Sequence, residues 1–334
     1  MKETALLPEK DRDFLFKNTA ARRSLTPAII EKDFWVCWTL DYLFQQSKWK
    51  NSLIFKGGTS LSKAYNLIQR FSEDIDLILD WRELGYSAEE PWEQRSNKKQ
   101  QEFNRQANER SAAYLRDEIV PTLQEDFTGL LGVSADIHIA SDDELTIIFG
   151  YPHLYSKNGT VQEIRLEIGP LAAATPAANQ TITPYAAETY PHVFHQPSTE
   201  VITVLPERTF WEKILILHSE AHRPMTSPMP PRYSRHYYDV VMMTNSPVKN
   251  TAFADKELLR KVTEFKKKFY PLNRAKYDDV LSGNIRLLPS DNHMRELKDD
   301  YAKMQQMIFE EKYSFDEIID RLKELEDEIK TLFH

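Results

Sequence analysis

Behind Thr26-Pro27, apolar residues recur at helical spacing at Ile30, Phe34, Cys37, Leu40 or Trp38, Leu43 and Phe44. This pattern predicts one long, mostly buried helix over residues 27–46, with Thr26 as its N-cap and Pro27 in its first turn. Leu53-Ile54-Phe55 is a short apolar strand running into Lys56-Gly57-Gly58. Thr59 and Ser60 then open a helix that extends to about Arg70, and Ile75 to Leu79 is a second strand. Residues 81–128 read as polar and helical. Three strand segments follow, over 133–140, 145–151 and 161–168. The last two face each other across Lys157-Asn158-Gly159-Thr160, a hairpin signal.

After Pro170 the pattern changes. Residues 171–187 are rich in Ala, Thr and Pro and read as a connection. Helices dominate beyond it, over 206–222 and 234–244, separated by a loop carrying Pro224, Pro228, Pro230 and Pro231. Ser314 and Glu317 form a capping box for a last helix whose apolar stripe is Ile318, Leu322, Leu325, Ile329 and Leu332. The expected architecture is an α/β lobe with a small mixed sheet over 1–170, including the N-terminal helix. A mainly helical lobe over 171–334 follows it.

Composition narrows the functional classes. Among 334 residues there is a single cysteine, which excludes a disulfide framework and a cysteine-based zinc site and suits a reducing cytoplasm. The nine histidines show no HExxH spacing, so no zinc is expected. No apolar run approaches the ~18 residues needed to cross a bilayer, so no membrane partner is expected. The first residues are charged rather than signal-like. A formal charge of −8 rules out a surface that traps polyanions everywhere. Lys256–Lys276 is the exception: Lys256, Arg260, Lys261, Lys266, Lys267, Lys268, Arg274 and Lys276 face only Glu257 and Glu264, with Phe265, Phe269 and Tyr270 interleaved. A solvated helix face explains such a run, and an RNA-phosphate track is the functional alternative.

Glycine is scarce, nine in all, yet two stand together at Gly57-Gly58. Asp74 and Asp76 follow on the second strand, both on one face, while Ile75 and Leu77 turn to the core. Two carboxylates side by side repel unless a cation joins them, and Mg²⁺ (or Mn²⁺) completed by substrate phosphates suits an all-oxygen site. The glycine turn lets backbone approach a ligand, and the helix behind it offers free N–H groups. The set describes a nucleoside-triphosphate site. It is neither a P-loop nor a Rossmann turn, since no Gly-Lys-Ser/Thr and no third spaced glycine follows. A third carboxylate would complete a two-metal arrangement. Glu167 in Ile164-Arg165-Leu166-Glu167-Ile168 is the first choice, with Glu163 and Asp136 as competitors, and an exposed strand glutamate paired with a cation as the plain alternative.

Three segments carry a resemblance: Ile30-Glu31-Lys32-Asp33-Phe34-Trp35, Phe55-Lys56-Gly57-Gly58-Thr59-Ser60-Leu61 and Arg70-Phe71-Ser72-Glu73-Asp74-Ile75-Asp76-Leu77. They resemble the AbiEii/AbiGii toxin family, a branch of the polymerase-beta-like nucleotidyltransferases, over about residues 26–245, with a weaker echo at Met307-Ile308-Phe309. The resemblance implies a nucleotidyltransferase core. It implies that Gly57, Gly58, Thr59 and Ser60 bind the NTP, that Asp74 and Asp76 hold metal, and that two later motifs supply Lys213 and Asp239. Lys63, Arg70 and Ser72 flank these motifs and complete the candidate nucleotide-binding set, although a surface role suits Lys63 as well. Lys213 would offset triphosphate charge, and Asp239 would either orient Lys213 or take the proton of the attacking hydroxyl. Without the resemblance, Lys213 reads as a solvated lysine and Asp239 as the i,i+4 partner of Arg235. Glu31, Lys32 and Asp33 read equally as an ion-pair set on a helix surface.

The expected activity is that of a cytoplasmic toxin of a toxin–antitoxin or phage-defence system, moving a nucleotide from NTP to RNA, with the tRNA 3′ end as candidate acceptor and a cognate antitoxin as partner. The competing readings are a transferase that modifies a small molecule or protein hydroxyl, and a non-catalytic NTP-binding partner protein.

Overall fold

The Thr26 hydroxyl accepts a hydrogen bond from the Ile29 amide (3.3 Å), Pro27 occupies the first turn, and a helix runs from there to Asp41. In this computed structural model, which describes residues 1–155, 162–309 and 312–332, every residue of that helix from Ile30 to Asp41 is buried. A helix wrapped on all sides is a core element rather than a surface one. The chain divides into two units, Met1–Tyr65 with Ser72–Val204, and Asn66–Phe71 with Leu205–His334.

The first unit holds helices α1 (Lys2–Ala5), α2 (Glu9–Arg23), α3 (Pro27–Asp41), α4 (Gly57–Lys63), α5 (Asn97–Tyr114), α6 (Val120–Leu131) and α7 (Tyr185–Thr189). Its strands are β1 (Leu53–Lys56), β2 (Ile75–Leu79), β3 (Asp136–Ile139), β4 (Thr146–Gly150), β5 (Ile164–Gly169), β6 (Ala177–Ile182) and β7 (Thr199–Val204). They form one mixed sheet in the order β3-β4-β5-β2-β1-β7-β6, with β2 at its centre. β2 runs antiparallel to β1 and parallel to β5, and β1 runs parallel to β7. Aromatic rings fill the space between α3, α6 and the sheet: Trp38 lies 4.8 Å from Phe127, and Phe127 lies 4.9 Å from Phe149. The hairpin residues Lys157–Thr160 lie outside the described residues.

Two expectations change here. Residues 171–187 are not simply a connection, because β6 and, further on, β7 extend the sheet and carry the first unit to Val204. β6 (Ala-Ala-Asn-Gln-Thr-Ile) is an edge strand with only Ile182 buried, so it lacks the apolar alternation that marks an inner strand. The helix behind the glycines stops at Lys63, seven residues long, and Asn66 turns left-handed at φ 51°. Residues 66–71 belong instead to the second unit. There Arg70 bridges Ile308, the Phe71 amide donates to the Met307 carbonyl (2.9 Å), and the Phe309 amide donates to the Gln69 carbonyl (2.9 Å).

The second unit is helical: α8 (Pro206–Ala221), α9 (Ser234–Thr244), α10 (Val248–Ala254), α11 (Lys256–Phe269), α12 (Tyr277–Leu281), α13 (Asp291–Met304) and α14 (Phe315–Thr331). α8 packs against α9, α10 and α11, and α9 packs against α13 and α14. On α14, Ile318, Leu322, Leu325 and Ile329 are fully buried, and the Ser314–Glu317 capping box is formed. Ser314→Ala removes the acceptor for the Glu317 amide. It is expected to lower stability by about 1 kcal/mol, read as a lower urea midpoint with an unchanged slope.

Candidate active site

The β1–α4 turn is built around a close approach. Gly57 has φ +81°, a left-handed backbone that L side chains avoid, and a Cβ there would collide with the Asp76 carboxylate. Lys56 pairs with Asp76 across β1 and β2, which puts the glycine turn directly over that carboxylate. The Thr59 hydroxyl donates to the Asp74 carbonyl oxygen (2.6 Å) and shares a hydrogen bond with the Ser72 hydroxyl (2.9 Å). The Ser60 hydroxyl donates to the Gly57 carbonyl oxygen (2.8 Å). Thr59 and Ser60 are fully buried, so these hydroxyls hold the turn to the approach of β2. Gly58, the second residue of α4, completes the turn.

Register assembles the acids. Asp76 on β2 lies beside Glu167 on β5, giving a row Lys56–Asp76–Glu167–Thr146 across four strands. Asp136 pairs with Gly150 on the edge strand, and Glu163 lies 3.8 Å from Arg165, so the register favours Glu167 as the third acid. The Glu167 carboxyl is pushed up to about 7, first by lost hydration and then by the charges of Asp76 and Asp74, against the pull of Lys56 and Arg165. Its side chain still reaches solvent, so the lost hydration is partial. Among the described residues no three His, Cys, Asp or Glu side chains close into a ready cage for a metal. The donors are nonetheless hard oxygens with an excess of negative charge, and the missing side chain at Gly57 makes room for the Asp76 carboxylate itself. This set suits Mg²⁺ or Mn²⁺ that keeps several water or phosphate ligands.

The charged triplet of α3 lies inside the protein rather than on a helix surface. The Glu31 side chain accepts from the Leu154 amide (2.8 Å), Lys32 Nζ lies 2.7 Å from Glu73 Oε2, and Asp33 Oδ1 lies 2.7 Å from Lys63 Nζ. The Lys63 side chain is therefore neither at the surface nor open to a phosphate; its ammonium also sits 3.9 Å from the Tyr185 ring centroid. Burial pushes the Glu31 carboxyl up to about 7, against the hydrogen bonds from Leu154 and Tyr155.

The second unit gathers its own cluster. Arg70 binds Asp239 in a two-pronged pair, Nε to Oδ1 (2.7 Å) and Nη2 to Oδ2 (2.8 Å), and Lys213 Nζ lies 2.8 Å from the same Oδ2. Asp239 is fully buried and its partners are Arg70 and Lys213, in place of the expected Arg235. Burial alone would raise its carboxyl, but the two cations hold it well below the usual carboxylate range. One carboxylate thus accepts from two cations. Burial and the Arg70 charge draw its amine below the ordinary lysine range while Asp239 opposes them. His236 Nδ1 lies 3.5 Å from Lys213 Nζ, and burial, Lys213 and Arg235 drive the imidazole well below the usual histidine range. No spacing in the sequence links Arg70, Lys213 and His236, whose neighbourhood is purely tertiary.

The basic segment is more ordinary than its composition. Phe265 and Phe269 are buried on α11 rather than exposed as stacking platforms. Arg260 pairs with Glu257 and Glu264, and Lys267 pairs with Asp278 (2.5 Å).

The central strands of the mixed sheet thus bring a Gly-Gly turn onto Asp76 of an Asp-x-Asp pair. The family model for the nucleotidyl transferase AbiEii toxin, type IV TA system, matches residues 38–321, and the chain belongs to this family. Its fold is similar to that of MenT4, a nucleotidyltransferase toxin from Mycobacterium tuberculosis H37Rv, with a TM-score of 0.51 and 15% identity over 96% of this chain and 97% of that one. Among curated proteins none matches in sequence.

Two outcomes follow from this geometry. Gly57→Ala is expected to cost at least about 1–2 kcal/mol from the left-handed backbone alone, with more from displacing Asp76, measured by chemical denaturation. Between pH 4.5 and 7 the folded chain keeps a proton on Glu31 that the unfolded chain has released, so stability falls as pH rises through that window. Glu31→Gln cannot ionise and keeps an acceptor for the Leu154 amide. Its stability relative to wild type is expected to grow across the window and level off above pH 7, by on the order of 3 kcal/mol, read from paired denaturation curves at each pH.

Proposed function

We propose that this chain transfers a nucleotide from an NTP to an RNA hydroxyl, with the tRNA 3′ end as acceptor, using a divalent metal held by Asp74, Asp76 and Glu167. The observation that carries this reading is the Asp76–Glu167 row beneath the Gly57 turn, with Asp74 beside it: like charges gathered where a Cβ is forbidden. Mg²⁺ bound there would supply the positive charge that screens the triphosphate and stabilises the pyrophosphate leaving group. Asp76 on β2 and Asp74 just before it would supply oxygens to such a cation, with a deprotonated Glu167 as the third donor. Thr59, Ser60 and Ser72 support the turn from within, since their hydroxyls bond to one another or to backbone.

For Lys213 the family resemblance supports a role on the triphosphate. The geometry favours Asp239 as the group that orients Lys213: a buried carboxylate already paired with two cations and held strongly acidic makes a poor proton acceptor. Membership in a type IV toxin–antitoxin family supports a cognate antitoxin as partner, a role in phage defence and a cytoplasmic site of action. Among the described residues no helix is long and apolar enough to cross a membrane. A second reading, transfer to a small-molecule or protein hydroxyl, gains from the basic segment, whose phenylalanines are buried and several of whose charges are matched locally.

Incubation with each labelled NTP, Mg²⁺ and total cellular RNA tests the proposal. Label is expected in RNA with the wild-type protein, and Asp76→Asn should lower transfer by about 10²–10³-fold or more. In the metal-free protein this variant should melt at or above the wild-type temperature, because one like charge is gone. Label in protein or a small molecule would establish the second reading, and transfer by Asp76→Asn at the wild-type rate would remove Asp76 from the metal site.

A further inference from the structure

The Glu31-Lys32-Asp33 triplet has no part in the reaction as described, yet all three residues are buried, with Lys32 2% and Asp33 4% exposed. We propose that Lys32 and Asp33 are positioning residues that tie the two segments carrying the active site to the rigid helix α3. The proposal rests on the metal-site reading above.

Neighbouring residues on a helix point about 100° apart, so Lys32 and Asp33 cannot share a partner. Each reaches a different segment. Lys32 Nζ lies 2.7 Å from Glu73, the residue before Asp74. Asp33 pairs with Lys63, the last residue of α4, and its other oxygen accepts from the Tyr185 amide (2.6 Å). Both segments need an anchor. Residues 71–74 precede β2 without regular structure, and a seven-residue helix is far too short to hold itself in water. α3, by contrast, is fixed on all sides by the core. A buried ion pair fixes direction and distance together, which an apolar contact does not. Replacing both members of such a pair by apolar residues is often neutral for stability, whereas removing one member is costly. That difference separates positioning from folding.

The test is the paired substitution Lys32→Met/Glu73→Met, which leaves the net charge unchanged. Its melting temperature is expected to stay near that of wild type. Its kcat with NTP should fall about 10²-fold, the scale of a misplacement near 1 Å, while KM for NTP moves little. Hydrogen exchange should rise in the peptide covering residues 72–79 and remain unchanged in α8. The companion Asp33→Asn/Lys63→Met keeps an acceptor for the Tyr185 amide and should raise exchange in 57–63 instead. Lys32→Arg, which retains the ion pair, should recover most of the turnover. Wild-type kcat and wild-type exchange in both paired variants would overturn the proposal. If a paired variant fails to fold, Glu73→Gln, which weakens the tether without removing the acceptor, should show the same local rise in exchange, and its absence would likewise overturn the tether. A wild-type protein that turns over no NTP would refute the reaction assigned above, while the exchange measurement would still decide the tether.

Discussion

A charge taken out of water must meet an opposite charge or a hydrogen bond, and both units of this protein are organised around that requirement. In the first, α3 carries three consecutive charged residues into the interior, and each is answered from a different part of the chain: the Leu154 amide, Glu73 and Lys63. In the second, Asp239 is answered by Arg70 and Lys213. Each set of partners joins residues far apart in sequence at a single depth. The buried pairs therefore specify an arrangement more than they add net stability.

The carboxylate row works against that rule. Asp76 and Glu167 are brought together on adjacent strands, with Asp74 just before β2 and with Lys56 and Arg165 acting on Glu167, and the crowding and lost hydration push the Glu167 carboxyl up to about 7. Register produces this crowding. Once β2 and β5 run parallel with Asp76 beside Glu167, neither acid can retreat without shifting its strand by a residue and turning the core side chains Ile75 and Leu77 outward. The surrounding fold keeps the acids in place despite their repulsion.

Arg70 and Lys63 show what proximity along the sequence leaves out of an active-site assignment. Both flank the glycine turn and the Asp-x-Asp pair, and both read as phosphate contacts by proximity along the chain. Their guanidinium and ammonium groups are instead held by Asp239 and Asp33, carboxylates contributed by other helices. A basic side chain a few residues from a phosphate-type motif is drawn to whichever carboxylate the fold brings nearest, and linear spacing carries no record of that distance. The phenylalanines of α11 make the same point, since helical periodicity turns them to the core while the lysines beside them face water.

Local rules were enough for much of the architecture. The Thr26-Pro27 start of α3, the apolar run of β2, the capping box of α14 and the loop after α8 all follow from interactions among residues a few positions apart. The Gly-Gly turn and the strand carrying Asp76 were legible for the same reason, because strand propensity and glycine backbone freedom are local properties. The edge strand β6, the short span of α4, the register that sets Glu167 beside Asp76, and the partners of Asp239 were decided only in the folded chain. Strand order, register and the pairing of buried charges are set by which distant segments meet, and that depends on packing the whole core at once rather than on any window of sequence.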